Sequence, residues 1–284
     1  MEPVNLFDVS GRVYAITGAG GALCGVMAAE LAGRGARVAL LDIDEAAVGE
    51  RARTIRAAGG EAMPLACNVL DSDSITAAAD AIAAEWGDPD VLINGAGGNH
   101  PSGSTSEAFA TPELVAGEDA ARTTFFDLPI TGFERVFDLN FLGTVLPTRI
   151  IARRMARRGS GCVINMSSMS ALTPLTKVGA YSAAKTAVAS LTQWLSVHLA
   201  PVGVRVNALA PGFFMTEQLR FLHIDQQTGE LTARAKAVIE HTPMKRYGEP
   251  EDLTGAVIWL STPGSSFVTG VVLPIDGGFS SYSI

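Results

Sequence analysis

Val13-Tyr14-Ala15-Ile16-Thr17-Gly18-Ala19-Gly20-Gly21 reads as a short buried strand that runs straight into a turn of glycines, after which Ala22 to Arg34 has helical character. A glycine-rich turn between a strand and a helix lets backbone approach a pyrophosphate. The helix N-terminus supplies amide donors and positive dipole at the same point. After Gly33-Arg34-Gly35 a second strand, Arg37 to Leu41, ends in Asp42. An acidic residue there, about twenty residues past the loop, is placed to accept hydrogen bonds from the adenosine ribose hydroxyls and to repel a 2′-phosphate. This favours NAD over NADP. The alternative for Asp42 is a helix cap before Asp44-Glu45, a role that Asp44 serves better.

Outward from this unit, strands alternate with helices: Glu61 to Ala66, a helix over Ser72 to Trp86, then Val91-Leu92-Ile93 running into Asn94. The alternation predicts an α/β fold, a Rossmann-type doubly wound parallel sheet in three α/β/α layers, with ligands beyond the carboxyl ends of the strands. No composition break divides the 284 residues, so 1–284 reads as one domain. Two loops at the ligand edge are long, 98–130 and 213–250, and read as lids or substrate walls. The second contains the His223 to Gly229 turn and a helical stretch over Leu231 to His241.

The 21 Lys and Arg against 29 Asp and Glu give a net charge of −8, which argues against nucleic acid or an anionic membrane as partner. The N-terminus lacks a basic start followed by an apolar core, and no uncharged span is long enough to cross a bilayer, so a cytoplasmic protein is expected. Cys24, Cys67 and Cys162 have neither zinc nor disulfide spacing and read as buried thiols, and no metal site is expected.

Tyr181 and Lys185, four apart in Tyr181-Ser182-Ala183-Ala184-Lys185, emerge on one face of a helix. A neighbouring ammonium favours the phenolate and moves the tyrosine toward the range useful for proton exchange. A helix from Gly132 to Arg158 carries Asn140 in an apolar stretch, and a buried amide there requires partners. The next strand, Cys162 to Met166, delivers Ser167-Ser168, of which only one can face the cofactor. Val204 to Pro211 reads as another strand, leading into Gly212. The apolar run from Phe267 to Gly278 looks like a last strand buried on both faces. Phe279 to Ile284 reads either as a frayed tail or as a reach toward a neighbouring subunit.

The Thr17-Gly18 turn, Asn94-Gly95-Ala96-Gly97, Asn140, Ser168, the Tyr181 to Lys185 pair and Pro211-Gly212 resemble the motifs of the short-chain dehydrogenase/reductase family in order and spacing, over essentially the whole chain. The resemblance implies a catalytic set of Asn140, Ser168, Tyr181 and Lys185. In it Ser168 and Tyr181 bind the substrate oxygen, Lys185 holds the nicotinamide ribose and lowers the tyrosine pKa, and Asn140 anchors a water. It also implies an NAD(H) site made by Thr17, Gly18, Gly20, Gly21, Ala22 and Leu23, by Asp42 and Ile43, by Asn68 and Val69, by Asn94 to Gly97, by Tyr181 and Lys185, and by Pro211, Gly212, Phe213 and Thr216. In many members the last strand lies at a two-fold interface, which implies a homotetramer. The chain departs from the family where Ala22 and Cys24 occupy the last two glycine positions, with Gly25 one step later. Asn68 stands where an aspartate commonly touches adenine.

Gly97-Gly98-Asn99-His100-Pro101, Phe125-Phe126-Asp127-Leu128, Phe213 to Gln218, Thr242-Pro243-Met244 and Gly248-Glu249-Pro250 are similar to the branch of the family that includes D-mannonate oxidoreductases, also called fructuronate reductases. That similarity implies NADH-dependent reduction of the C5 ketone of D-fructuronate. A sugar acid brings a carboxylate, which should find a cation or a backbone nest. Lys177, His100 and Arg220 are the candidates, alongside Asn99, Ser168, Ser170, Tyr181 and Phe213 as further substrate contacts. Each cation has a plainer reading, as surface lysine, turn histidine or exposed helix charge. Gluconate 5-dehydrogenase, 3-oxoacyl reductase and an NAD(H)-sensing module without turnover remain as alternatives. Asp42 and the net charge disfavour the reductase of carrier-bound thioesters.

Overall fold

The structure is a computed structural model, and it describes residues 5–117, 121–216, 223–225 and 228–283. β1 (Val13–Thr17) is buried along its whole length. Its pleat sends Val13 and Ala15 into one apolar layer and Tyr14 and Ile16 into the other, which is why it reads as an unbroken apolar run.

Around it lie β2 (Arg37–Asp42), β3 (Glu61–Ala66), β4 (Val91–Asn94), β5 (Gly161–Met166), β6 (Val204–Pro211) and β7 (Val272–Ile275). The sheet order is β3-β2-β1-β4-β5-β6-β7 and every pairing is parallel. The order reverses between β1 and β4, so the crevice beyond their carboxyl ends is where a ligand fits.

Helices α1 (Ala22–Gly33), α2 (Glu45–Ala57) and α9 (Thr254–Ser261) cover the Tyr14 and Ile16 face. On the other face lie α3 (Ser72–Trp86), α6 (Gly143–Arg158) and α7 (Gly179–Leu199). Fully buried side chains such as Leu40, Ile93 and Ile151 each contribute about 1.5–3 kcal/mol of burial. Asp44 caps α2 by accepting from the Ala47 N–H at 3.0 Å, and Asp71 caps α3 in the same way.

The 98–130 loop contains a short α4 (Pro112–Val115) and single 3-10 turns at Pro101–Gly103 and Phe125–Asp127. Its base is closed by Ser106 and Thr123, with the Thr123 N–H donating to Ser106 Oγ at 2.8 Å. In the 213–250 loop, α8 (Ala233–His241) starts two residues later than the sequence predicts, because Thr232 caps it.

Three expectations need correction. The helix predicted over 132–158 is in fact α5 (Ile130–Phe137), a π-helical turn (Asp138–Leu142) and then α6. Asn140 causes the break. Its Nδ2 donates to the Val136 carbonyl at 2.8 Å, the acceptor its own backbone N–H would use in an α-helix, so the turn widens.

The predicted last strand, 267–278, is paired only at β7, which is the outer edge of the sheet. β7 is partly exposed rather than buried on both faces, and Phe267 beside it is fully exposed. Gly270, at φ +82°, turns the chain just before it.

The tail does not fray at 279–282. The Asp276 carboxylate accepts from the Ser280 N–H at 2.9 Å and from its hydroxyl at 2.6 Å. Phe279 packs edge-on against Phe213 and His241 of the same chain. Among the described residues no helix is long and apolar enough to cross a membrane.

Candidate active site

The glycine turn and the β4 turn are built into each other. Thr17 Oγ1 accepts from the Gly95 and Ala96 N–H groups at 3.1 and 3.2 Å. Gly18 adopts φ +68°, and a Cβ on it would lie 2.7 Å from the Ala96 nitrogen, so only glycine fits. The Gly20 N–H donates to Asp42 Oδ2 at 3.0 Å, which holds the end of β2 against the turn.

Between these turns opens a cleft of about 940 Å³, lined by Gly18, Gly20, Gly21, Ala22, Leu23, Asp42, Ile43, Asn68, Val69, Gly95, Ala96, Gly97 and Thr216 among others. Its size is at the upper end for small-molecule sites. Bare glycine backbone at a helix start, with a carboxylate at the strand end, fits the phosphates and ribose of a dinucleotide.

Some residues implied as cofactor contacts lie behind the cleft. Asn94 Nδ2 donates to Thr148 Oγ1 and Asn165 Oδ1, both at 2.8 Å, so this amide ties the sheet to α6. Gly212 donates to the Ile275 carbonyl at 2.9 Å. The preceding Pro211 ends β6 and is buried. Phe213 turns into an aromatic cluster with His223, Tyr247 and Phe279. At the adenosine end Asn68 uses its Oδ1 on the Leu70 N–H, at 3.0 Å.

β5 and α7 bring Ser168, Tyr181 and Lys185 together. Ser167 Oγ donates to the Lys185 carbonyl at 2.9 Å, and Ser168 Oγ, close enough to Tyr181 to influence its titration, accepts from the Ser170 N–H at 3.1 Å. Lys185 is buried and donates to the Met166 carbonyl at 2.8 Å. Its Nζ lies 5.6 Å from the centre of the Tyr181 ring. Burial lowers its pKa to about 8, opposed by the Cys24 thiol.

Desolvation raises the Tyr181 pKa, with Ser168 acting in the opposite direction, and Lys185 is not among the groups that shift it. Asn140 is fully buried and grips Gly98, with Oδ1 accepting from its N–H at 3.0 Å and Nδ2 donating to its carbonyl at 2.7 Å. A Cβ on Gly97 would meet both Asn140 Oδ1 and Lys185 Nζ, so these groups converge beneath the β4 turn.

The substrate side is more mixed. Ser170 is fully buried, and its Oγ has no hydrogen-bond partner, a condition that costs about 1–3 kcal/mol unless a ligand supplies one. Asn99 Nδ2 donates to Ser104 Oγ at 2.8 Å. His100 is a turn residue: its Nδ1 accepts from the Ser102 N–H at 3.2 Å and caps the Pro101–Gly103 turn. Lys177 adopts φ +70°, which costs a residue with a side chain about 1 kcal/mol, and its Nζ donates to the Ser106 carbonyl at 2.5 Å. It thereby joins the 98–130 loop to the approach to α7. Arg220 lies outside the described residues.

Arg51 also lines the cleft, though nothing at its own position in the sequence singles it out. The one available signal is Gly25, the glycine one step later than the family pattern.

The fold and this grouping define a dinucleotide-dependent oxidoreductase, and comparison with known proteins agrees. A family model described as Enoyl-(Acyl carrier protein) reductase matches residues 18–280. The chain belongs to the short-chain dehydrogenase/reductase family, oxidoreductases that act on alcohol and ketone groups.

Among individual proteins, it is 45% identical to a crystal structure from Haemophilus influenza with bound NAD, described as that of a candidate D-mannonate oxidoreductase. That likeness covers 97% of each chain at a TM-score of 0.91. It is 45% identical over 278 residues to the uncharacterized oxidoreductase UxuB of Bacillus subtilis, covering 97% of both. It is 31% identical to the 2-dehydro-3-deoxy-D-gluconate 5-dehydrogenase of Formosa agariphila, covering 97% of this chain and 95% of that one.

Proposed function

We propose that the chain is an NAD(H)-dependent reductase of a sugar-acid ketone, with D-fructuronate and D-mannonate as the ketone and alcohol. The observation that carries this reading is the grouping of Ser168 and Tyr181 with the buried Lys185, whose Nζ lies under Gly97, a residue that lines the cleft between the glycine turns. NADH, when bound, supplies the hydride to the carbonyl carbon, and NAD takes it back in the reverse direction.

The residues do the rest. A phenol is protonated at neutral pH, so Tyr181 can give its proton to the carbonyl oxygen as the C=O bond becomes C–OH. Ser168 donates a second hydrogen bond to that oxygen, where negative charge develops. Lys185 is fixed by its bond to Met166, and its remaining N–H groups would hold the nicotinamide ribose beside the Tyr181 ring. Asn140 holds the β4 turn through Gly98.

The substrate assignment is supported by the 45% identity to the D-mannonate-type structure and by the unpaired Ser170 hydroxyl, which suits a polyol. Lys177 is the proposed partner of the carboxylate, exchanging the Ser106 carbonyl for it. The 5-dehydrogenase relative favours a second reading, a gluconate-type substrate reduced at the same carbon. We also propose a cytoplasmic homotetramer, and the exposed edge of β7 supports assembly through that edge.

The test is a panel: NADH oxidation followed by fluorescence with D-fructuronate, 5-ketogluconate and an acetoacetyl thioester. The reading expects D-fructuronate to show the highest kcat/KM. NADH binding without oxidation of any of the three would instead make the chain a sensor.

A further inference from the structure

Gly25 has a neighbour that explains it. A Cβ at this position would overlap Cδ, Nε and Cζ of Arg51, so the absence of a side chain on α1 is what lets Arg51 lie across the first turn of that helix. From that seat Arg51 Nη2 donates to the Gly20 carbonyl at 3.3 Å, inside the glycine turn itself.

Among the described residues lining the cleft, Arg51 is the only cation and Asp42 the only anion. Asp42 is engaged, its two oxygens accepting from the N–H groups of Gly20 and Asp44. Arg51 has no carboxylate within ion-pair distance among the described residues. A half-buried guanidinium without a counter-charge gains most from an anion entering the cleft, and its fork of N–H donors matches a phosphate. In a protein of net charge −8 such a cation also offsets the repulsion a dinucleotide would meet.

We propose that Arg51 is a cofactor-binding residue that pairs with a phosphate of the adenosine half of the dinucleotide, and that Gly25 is its seat. The proposal rests on the NAD(H) reading above. It adds to that reading a charge contact from α2, which the sequence places well away from the glycine turn.

Dissociation constants for NADH, ADP, adenosine 2′-monophosphate and adenosine, measured on the wild type, Arg51→Gln, Gly25→Ala and the double variant, test it. Wild-type binding of NADH checks the underlying reading separately. Arg51→Gln should weaken ADP and NADH about tenfold and leave adenosine within about twofold, since a charge-assisted contact to phosphate is lost and the nucleoside contacts remain.

Gly25→Ala should do the same by unseating the guanidinium, and the double variant should be no worse than Arg51→Gln alone. Loss on ADP places the contact at the 5′-diphosphate, whereas loss confined to the 2′-monophosphate, a phosphate that NADH lacks, would overturn the proposal. Unchanged binding of both phosphate probes to Arg51→Gln, or an equal loss on adenosine, would overturn the proposal. Should Gly25→Ala fail to fold, Arg51→Gln decides alone.

Discussion

Cys24 fills the space that a side chain on Gly95 would need: a Cβ on Gly95 would overlap Cys24 Sγ and lie 2.7 Å from the Thr17 carbonyl oxygen. The cysteine at a glycine position of the family pattern is therefore accommodated by a glycine in the facing turn, and the thiol is wholly buried, its pKa pushed up to about 12 by desolvation.

Gly95→Ala should consequently destabilise the fold by about 3 kcal/mol or more, the overpacking range. Cys24→Ala by itself should cost about 1 kcal/mol, and the double variant should lose less than the sum, by about 1 kcal/mol of coupling. Chemical denaturation of the four proteins measures this, and strict additivity would mean that the two positions do not share the space.

Asn140→Ala removes three hydrogen bonds and strands backbone groups of part-buried Gly98 and buried Val136. Stability should fall by about 2–4 kcal/mol. The π turn should also revert toward α-helix, loosening the β4 turn and raising the dissociation constant for NADH. Asn140→Asp should be worse at neutral pH, because its second oxygen would face two carbonyls. Thermal melts and NADH titration of both variants check the order.

Lys185 sets a pH dependence of stability. Its folded pKa, about 8, lies below the ordinary 10.5, so between those values the unfolded chain binds more protons than the folded one and stability rises with pH. Relative to Lys185→Met, the wild type should therefore gain in melting temperature as the pH goes from 8 to 10, with no such relative change between 6 and 7. The buried Tyr14 and Cys24 act in the opposite sense, losing stability above their ordinary values of 10 and 9, but they do so in both proteins.

Lys177→Met should raise KM for D-fructuronate about tenfold while leaving KM for an uncharged ketose within about twofold. Equal effects on both substrates would restrict Lys177 to its loop-joining bond with Ser106. Lys177→Gly, which relieves the left-handed backbone but also loses the ammonium, should match Lys177→Met in KM.

Much of this architecture was legible before any coordinates. The α3 boundaries, Ser72 and Trp86, follow from a capping Asp71 and a terminating Gly87, both local signals. The strand and turn at Val13 to Gly21 carry their own periodicity and glycines, and alternation on a strand leaves only one of Ser167 and Ser168 outward, the resemblance to the family picking Ser168 by its separation from Tyr181.

What escaped was whatever depends on a competing partner. The π turn arises because the Asn140 amide outcompetes backbone for Val136, which no apolar pattern records. β7 is exposed because it is the last strand of the sheet, a property of topology rather than of its apolar run. The Tyr181 pKa rises through desolvation, which a four-residue spacing does not record. Arg51 meets the glycine turn only through the packing of α2 on α1.

The central claim, that the Tyr181 phenol gives the proton at the reacting carbonyl, is tested most directly by single-turnover oxidation of bound NADH by D-fructuronate in Tyr181→Phe. The account predicts a rate lower by about 10²–10³ with the NADH dissociation constant within about twofold of wild type. A wild-type rate in that variant would contradict it.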